Sequence, residues 1–140
     1  HDIKSKKFVT SLTKNYDFIK YLGPVFNNKK NQFYNSIDLL LCPSINEAEP
    51  LVIFESMMNS VPVIAFGIGC IPEQIGSEGD AGLVINPPIN FTEVSLPWIE
   101  SRIASKDLYL DSSRASLNRY NILKRKSESS LNRFLSSFNK

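Results

Sequence analysis

The fold is decided by residues 37–44, which read IDLLLCPS. Residues 37–42 form a nearly continuous apolar run, and Pro43 and Ser44 end it. Such a run is typical of a strand that is buried on both faces, as in a parallel sheet. Similar runs, each closed by Gly or Pro residues, predict further strands at residues 17–22, 61–66 and 81–85.

Helical patterns fill the gaps between these strands. They predict helices near residues 3–14, 28–36, 50–59 and 71–77, and a helical tail over residues 89–140. Helices and strands therefore alternate through the first part of the chain, and only helices follow. This order predicts an α/β fold: a Rossmann-like open parallel sheet with right-handed crossovers and helices on both faces. We expect residues 1–140 to form one domain.

The composition excludes several classes of protein. Of 140 residues, 42% are hydrophobic and 21% are charged, and the net charge of +2 argues against wholesale disorder and against a polycation that binds nucleic acid. No apolar run reaches the roughly 20 residues of a membrane span. Cys42 and Cys70 form no CxxC motif and the only histidine is His1, so we expect neither a zinc site nor a disulfide framework. A reducing cytoplasm is the simplest compartment.

Charge is unevenly distributed along the chain. Residues 41–100 carry eight acidic side chains and no Lys or Arg, whereas residues 1–40 carry seven basic side chains and residues 101–140 carry nine. The chain also begins with His1 rather than Met. We therefore expect it to be part of a longer protein.

The loops that follow two of the predicted strands carry the candidate chemistry. Parallel α/β sheets bind ligands at the carboxyl ends of their strands. Residues 43–50 and 67–73 are the loops that follow the carboxyl ends of two predicted strands. Glu47 lies in the first loop and Glu55 lies just over one turn into the next helix, whose first amides, at Leu51 and Val52, are suited to bind an anion. An anion cradle between two carboxylates fits a nucleotide sugar. Glutamates near a helix N-terminus also stabilise the helix through its dipole alone.

Taken together, these motifs resemble the C-terminal, donor-binding domain of GT-B retaining glycosyltransferases, in the large group called glycosyl transferases group 1 or family 4. The resemblance rests on the strand that ends in Pro-Ser and on a Glu–x7–Glu motif from Glu47 to Glu55. It continues in residues 62–65 (PVIA), 69–73 (GCIPE) and 82–84 (GLV).

The resemblance implies a role for particular residues. Glu47 would be the catalytic residue: it would face the donor sugar near its reacting carbon and help to stabilise charge in the transition state. Glu55 would bond the ribose hydroxyls, and the amides of Leu51 and Val52 would hold the diphosphate. The remaining donor-binding positions would be Ala48, Glu49, Pro50, Gly23 and Val25, of which the last two would lie near the base.

The implied reaction is transfer of a sugar from a nucleotide diphosphate sugar to an acceptor hydroxyl, with retention, in polysaccharide or glycolipid synthesis. Neither a metal nor another cofactor is expected, and no Asp-x-Asp motif is present. The acceptor, a glycan or glycolipid, would be held by an N-terminal domain that this chain lacks. The chain alone would then bind donor weakly and transfer no sugar.

Three departures from the family pattern bear on this interpretation. Glu49 occupies a position that is commonly aromatic or apolar, and Cys70 replaces the second Gly of a usual Gly-Gly pair. The family's cations for the diphosphate come from an earlier strand–loop unit, and residues 41–100 contain none. A truncation on the N-terminal side would explain that lack.

Other interpretations of the same residues remain open. A degenerate transferase-like module that binds a partner protein is the main alternative. The turn at residues 67–72 approaches the dinucleotide fingerprint GxGxxG, but Pro72 replaces its third Gly. Cys70 as a nucleophile would lack a histidine partner, since the only one is His1.

The end of the tail carries an apolar stripe at helical spacing, formed by Leu131, Phe134, Leu135 and Phe138. We favour a helix that packs on the sheet or on a missing domain. The alternative is attachment to an anionic membrane surface, assisted by the basic residues 124–126. The full-length protein would then be cytoplasmic and would touch the inner face of the membrane.

Overall fold

A computed structural model of the protein describes residues 3–76 and 81–138. A first compact unit ends at Phe33, and a second unit begins at Tyr34. The elements follow in the order α1 (Ile3–Asn15), α2 (Lys29–Tyr34), β1 (Leu40–Cys42), α3 (Leu51–Met58), β2 (Val63–Phe66), α4 (Ile71–Ile75), β3 (Gly82–Ile85), α5 (Phe91–Ala104) and α6 (Lys106–Ser137). The last residue of the helix predicted over 71–77 lies outside the described residues.

The three strands form a parallel sheet in the order β1-β2-β3. Leu40 pairs with Val63 and Cys42 pairs with Ala65, so β1 and β2 run in register to their carboxyl ends. β3 pairs with the whole of β2, from Gly82 opposite Val63 onward. The prediction of an open parallel α/β sheet with a helical tail is confirmed, although each strand is shorter than the apolar run that predicted it. The expected burial of residues 37–42 on both faces is wrong: Leu41 in β1 is 49% exposed, because β1 has only β2 as a neighbour in the described sheet.

Both faces of the sheet are covered, because every residue of β2 is buried. Val63 and Ala65 pack on one face against α3 and α4, while Ile64 and Phe66 pack on the other face against β3 and α5. The first cluster consists of Ile53, Met57, Val63, Ala65, Ile71 and Ile75. This continuous burial explains why residues 61–66 lack the alternating pattern of a half-exposed strand.

Serine side chains attach α6 to the rest of the second unit. The buried Ser116 Oγ lies 3.1 Å from the carbonyl oxygen of Val61 and 3.2 Å from that of Ala81. Ser113 Oγ donates to the carbonyl oxygen of Ser60 at 2.8 Å. Because serine is small, it lets the helix approach these loops closely, and its hydroxyl satisfies their buried carbonyl groups.

The strand predicted at residues 17–22 is absent, and that prediction is wrong. The amide of Ile19 donates to the carbonyl oxygen of Tyr16 at 3.0 Å, so the chain forms a turn here instead. Phe18, Tyr21 and Leu22 are exposed. An apolar run forms a strand only where a neighbouring strand accepts its hydrogen bonds, and the described residues pair none with this segment.

The apolar stripe of α6 does not pack on the sheet. Leu131, Phe134, Leu135 and Phe138 are between 51% and 70% exposed, so that part of the prediction is wrong for this chain. A further domain and a membrane surface stay predictions for what covers the stripe. Within the described residues, no helix combines the length and the apolar character that crossing a bilayer requires.

We predict that Ile64→Ala lowers the free energy of unfolding by about 3 kcal/mol, because it removes most of a fully buried aliphatic side chain from the centre of β2. Phe134→Ala is the control: its ring is exposed, so we expect a change below about 0.5 kcal/mol. Urea unfolding followed by circular dichroism measures both. Equal losses for the two variants would contradict this account of the core.

Candidate functional site

Two loops meet at the carboxyl edge of the sheet. One runs from β1 to α3, and the other runs from β2 to α4. The backbone N–H of Cys70 donates to the carbonyl oxygen of Ala48 at 3.0 Å, which joins the two loops directly. The prediction that both loops lie on one edge is therefore confirmed.

Gly69 makes this close contact possible. Its φ is +52°, in the left-handed region, and a Cβ atom at this position would overlap the carbonyl oxygens of Glu47 and Ala48. Only glycine combines that conformation with so close a backbone approach. The conformation of the loop that carries Glu47 thus depends on a glycine in the neighbouring loop.

Glu47 is half-buried, and a hydroxyl group holds its carboxylate. Ser44 Oγ donates to Glu47 Oε1 at 3.0 Å. Burial raises the pKa of the nearby Cys42 thiol, the backbone of Ser44 lowers it, and the negative charge of Glu47 raises it further. Ser44, which ends the predicted strand, therefore also orients the carboxylate of the motif.

The N-terminus of α3 lies between the two motif glutamates. Pro50 precedes the helix in an extended conformation, and its side chain makes no capping hydrogen bond to the first turn. The N–H groups of Leu51 and Val52 have no acceptor inside the helix, and the side chains of both residues are exposed. The helix dipole adds partial positive charge at this end, so the geometry suits an anion.

Glu55 lies on the second turn of α3, and a tyrosine contacts its carboxylate. Tyr34 Oη donates to Glu55 Oε2 at 3.1 Å. The Tyr34 hydroxyl oxygen also lies 3.5 Å from the carbonyl oxygen of Val52. The Glu55 carboxylate thus leans toward the N-terminus of its helix, as side chains on helices generally do. The sequence alone does not point to Tyr34, because nothing in the spacing of Tyr34 and Glu55 links them.

The remaining predicted site residues fall in two groups. Ala48 and Glu49 are exposed in the loop before α3, and Pro50 is buried beside them. Gly23 and Val25 belong to the first unit, where Gly23 has a φ of +68° and no atom lies within 4 Å of the position of a Cβ. The role of Gly23 and Val25 near a base stays a prediction.

A cavity of about 360 Å³ lies at the opposite, amino-terminal edge of the sheet, and no motif in the sequence points to it. The guanidinium of Arg102 stacks on the ring of Trp98, 3.8 Å from its centroid, and Tyr109 Oη donates to Asp38 Oδ1 at 3.4 Å. Ligands of parallel α/β sheets bind at the carboxyl edge, so we do not assign the donor site to this cavity. Among the described residues, no group of three or more His, Cys, Asp or Glu side chains could hold a metal ion.

Solved structures define the class of the fold. The C-terminal domain of the glycosyl transferase group 1 family protein LpcC from Francisella tularensis matches with a TM-score of 0.68 at 20% identity, over 86% of this chain and 63% of its own. Anabaena HepE, solved in complex with UDP, matches with a TM-score of 0.72 at 21% identity, over 95% of this chain and 36% of its own. The second unit and its helical tail thus have the fold of a GT-B glycosyltransferase C-terminal domain.

The family follows from the sequence match. Residues 3–94 match the family described as Glycosyl transferases group 1, and the chain belongs to that family. Sulfoquinovosyl transferase SQD2 from Arabidopsis thaliana is 35% identical over 69 residues, which is 48% of this chain and 14% of that protein. The matched segment is therefore a small part of the relative's length.

We predict that Gly69→Ala lowers the free energy of unfolding by more than about 2 kcal/mol, because strain at positive φ adds to the overlap with two carbonyl oxygens. Gly23→Ala is the matched control, since it has positive φ and free space, and we expect a loss of at most about 1 to 2 kcal/mol. Thermal and urea unfolding measure both. If Gly69→Ala costs no more than the control, the close contact between the loops is wrong.

Proposed function

We propose that this chain is the donor-binding half of a retaining glycosyltransferase of the family 4 type. The reaction moves a sugar from a nucleotide diphosphate sugar to a hydroxyl of a glycan or glycolipid acceptor, with retention at the anomeric carbon. One observation carries the proposal: hydroxyl groups hold both motif carboxylates, Glu47 and Glu55, around a helix N-terminus whose N-cap residue makes no side-chain capping bond. Membership of the glycosyl transferases group 1 family supports a transferase.

The diphosphate binds at the N-terminus of α3. The N–H groups of Leu51 and Val52 donate to phosphate oxygens, and the helix dipole favours their negative charge. As the sugar leaves, negative charge grows on the diphosphate, and the same donors stabilise it. Residues 41–100 supply no Lys or Arg for this purpose, so further positive charge comes from outside this stretch.

Glu47 acts at the sugar. A carboxylate accepts hydrogen bonds from sugar hydroxyls, which fixes the ring relative to the leaving group. Its negative charge also stabilises the positive charge that develops at the anomeric carbon when the bond to the phosphate breaks. The hydrogen bond from Ser44 holds the carboxylate in one orientation, so little reorganisation is needed at that moment.

Glu55 acts at the nucleotide, where it accepts hydrogen bonds from the ribose hydroxyls. The resemblance implies a role near the base for Gly23 and Val25, and Ala48, Glu49 and Pro50 border the diphosphate. No metal or other cofactor takes part. HepE, a structural neighbour, was solved with UDP, which supports a nucleotide as ligand without identifying the base for this chain.

Glu49 favours a second candidate function. It places an exposed third carboxylate directly before α3, where it repels a diphosphate. In that case the chain is a degenerate transferase-like module that binds a partner protein and no nucleotide. Nucleotide binding distinguishes the two candidates.

We predict that Glu55→Ala weakens binding of the preferred nucleoside diphosphate about tenfold, because one charged acceptor for the ribose is lost. Titration by ligand-observed NMR with UDP, GDP and ADP measures the affinity. Glu100→Ala is the control: it removes the same charge from an exposed position near the end of α5 and leaves the affinity unchanged. Equal affinities for Glu55→Ala and the unmodified chain would contradict the ribose assignment.

We predict that Glu47→Ala, made in the natural protein that contains this chain, abolishes sugar transfer and leaves nucleotide binding largely intact. The carboxylate faces the sugar and not the nucleotide, so its loss acts on the transition state. Transfer is measured with a radiolabelled nucleotide sugar, and binding is measured by calorimetry with the nucleoside diphosphate. Transfer by Glu47→Ala at the rate of the unmodified protein would overturn the assignment.

A further inference from the structure

We infer that Tyr34 is the positioning residue for Glu55 and thereby contributes to recognition of the ribose hydroxyls. The inference rests on the proposed function, since it concerns the same donor site. Tyr34 itself contacts no ligand in this account. It acts through the carboxylate, by fixing where the two oxygens of Glu55 point.

The contact is well defined by the geometry around Tyr34. The tyrosine is 4% exposed, so the surrounding packing fixes the position of its ring. Its hydroxyl oxygen lies 3.1 Å from Glu55 Oε2 and 3.5 Å from the carbonyl oxygen of Val52. A phenol has one proton to donate, and the shorter distance with the charged acceptor assigns that proton to Glu55.

A glutamate on a helix surface needs such a partner if it is to bind a sugar accurately. Its side chain has several rotatable bonds, and ordering them on binding costs affinity. A hydrogen bond from a buried phenol to Oε2 removes most of that freedom before the ligand arrives. An ionised carboxylate has about four acceptor positions, and the hydrogen bond from Tyr34 fills one of them.

The phenol keeps its proton under ordinary conditions. Burial raises the pKa of Tyr34, and the hydrogen bond to Glu55 and the charge of that residue raise it further. Tyr34 is therefore a neutral donor at neutral pH, which is the state that orients a carboxylate. A purely structural role is the competing explanation, because a buried hydroxyl also needs a partner for stability alone.

Ribose and dideoxyribose ligands distinguish positioning from structure. In the natural protein that contains this chain, affinities are measured by calorimetry for UDP, GDP and ADP and for the 2′,3′-dideoxy form of the one that binds. We expect Tyr34→Phe to weaken binding of the ribonucleotide about fivefold, the equivalent of one ordinary hydrogen bond. We expect the affinity for the dideoxynucleotide to stay unchanged, because its sugar has no 2′ or 3′ hydroxyl to donate a hydrogen bond to Glu55.

Tyr109→Phe is a matched control that the chain itself offers. Tyr109 also donates its hydroxyl to a carboxylate, that of Asp38, but this pair lies at the amino-terminal edge of the sheet. We expect it to change neither affinity. In the double variant Tyr34→Phe/Glu55→Ala, the loss should equal that of Glu55→Ala alone, because Tyr34 acts only through the Glu55 carboxylate.

Each outcome decides a separate question. The positioning role is overturned if Tyr34→Phe weakens binding of both nucleotides equally, or of neither. The donor site stands in that case if Glu55→Ala still weakens binding of the ribonucleotide. Additive losses in the double variant also overturn the positioning role. If the unmodified protein binds none of the nucleotides, the proposed function fails, and this inference fails with it.

Discussion

The parallel pairing of β1 with β2, closed by the hydrogen bond from Cys70 to Ala48, is the constraint on which the candidate site depends. The pairing brings the carboxyl ends of both strands to one edge. The backbone at Gly69 then fixes how closely the two loops approach, because no side chain fits between them. Glu47 takes its position from this contact, and α3 begins a few residues further along the same loop.

The electrostatics of this edge are unusual for an anion site. Within residues 41–100, only backbone amides and a helix dipole can supply positive charge, since this stretch contains no Lys or Arg. The carboxylates are suited to neutral hydroxyl groups, which donate hydrogen bonds and bring no negative charge. A ligand with a phosphate at its centre and sugar rings on both sides satisfies each of these groups with a partner of the right kind. A simple phosphate would offer no sugar hydroxyl group to either carboxylate.

The parts of the fold that could be predicted were those that short-range patterns determine. The apolar runs at residues 37–42 and 61–66 and the Pro-Ser end of β1 are local features, and they predicted the sheet and the loop that carries Glu47. The strand predicted at residues 17–22 failed because a strand depends on a partner elsewhere in the chain. Tyr34 was missed for a similar reason: Tyr34 and Glu55 are 21 residues apart in sequence, and only tertiary packing brings them into contact. The same holds for the cavity beside Trp98, whose lining comes from segments far apart along the chain.

The central claim is that a nucleoside diphosphate binds at the N-terminus of α3. The most direct test is a titration of the ¹⁵N-labelled chain with UDP, GDP and ADP, in which the amide signals are followed residue by residue. The account predicts that one nucleotide shifts the amide signals of Leu51 and Val52 most. The chain has a single tryptophan, so the indole signal of Trp98 reports separately on the cavity at the other edge. A shift of the Trp98 signal while the signals of Leu51 and Val52 stay unchanged would contradict the account.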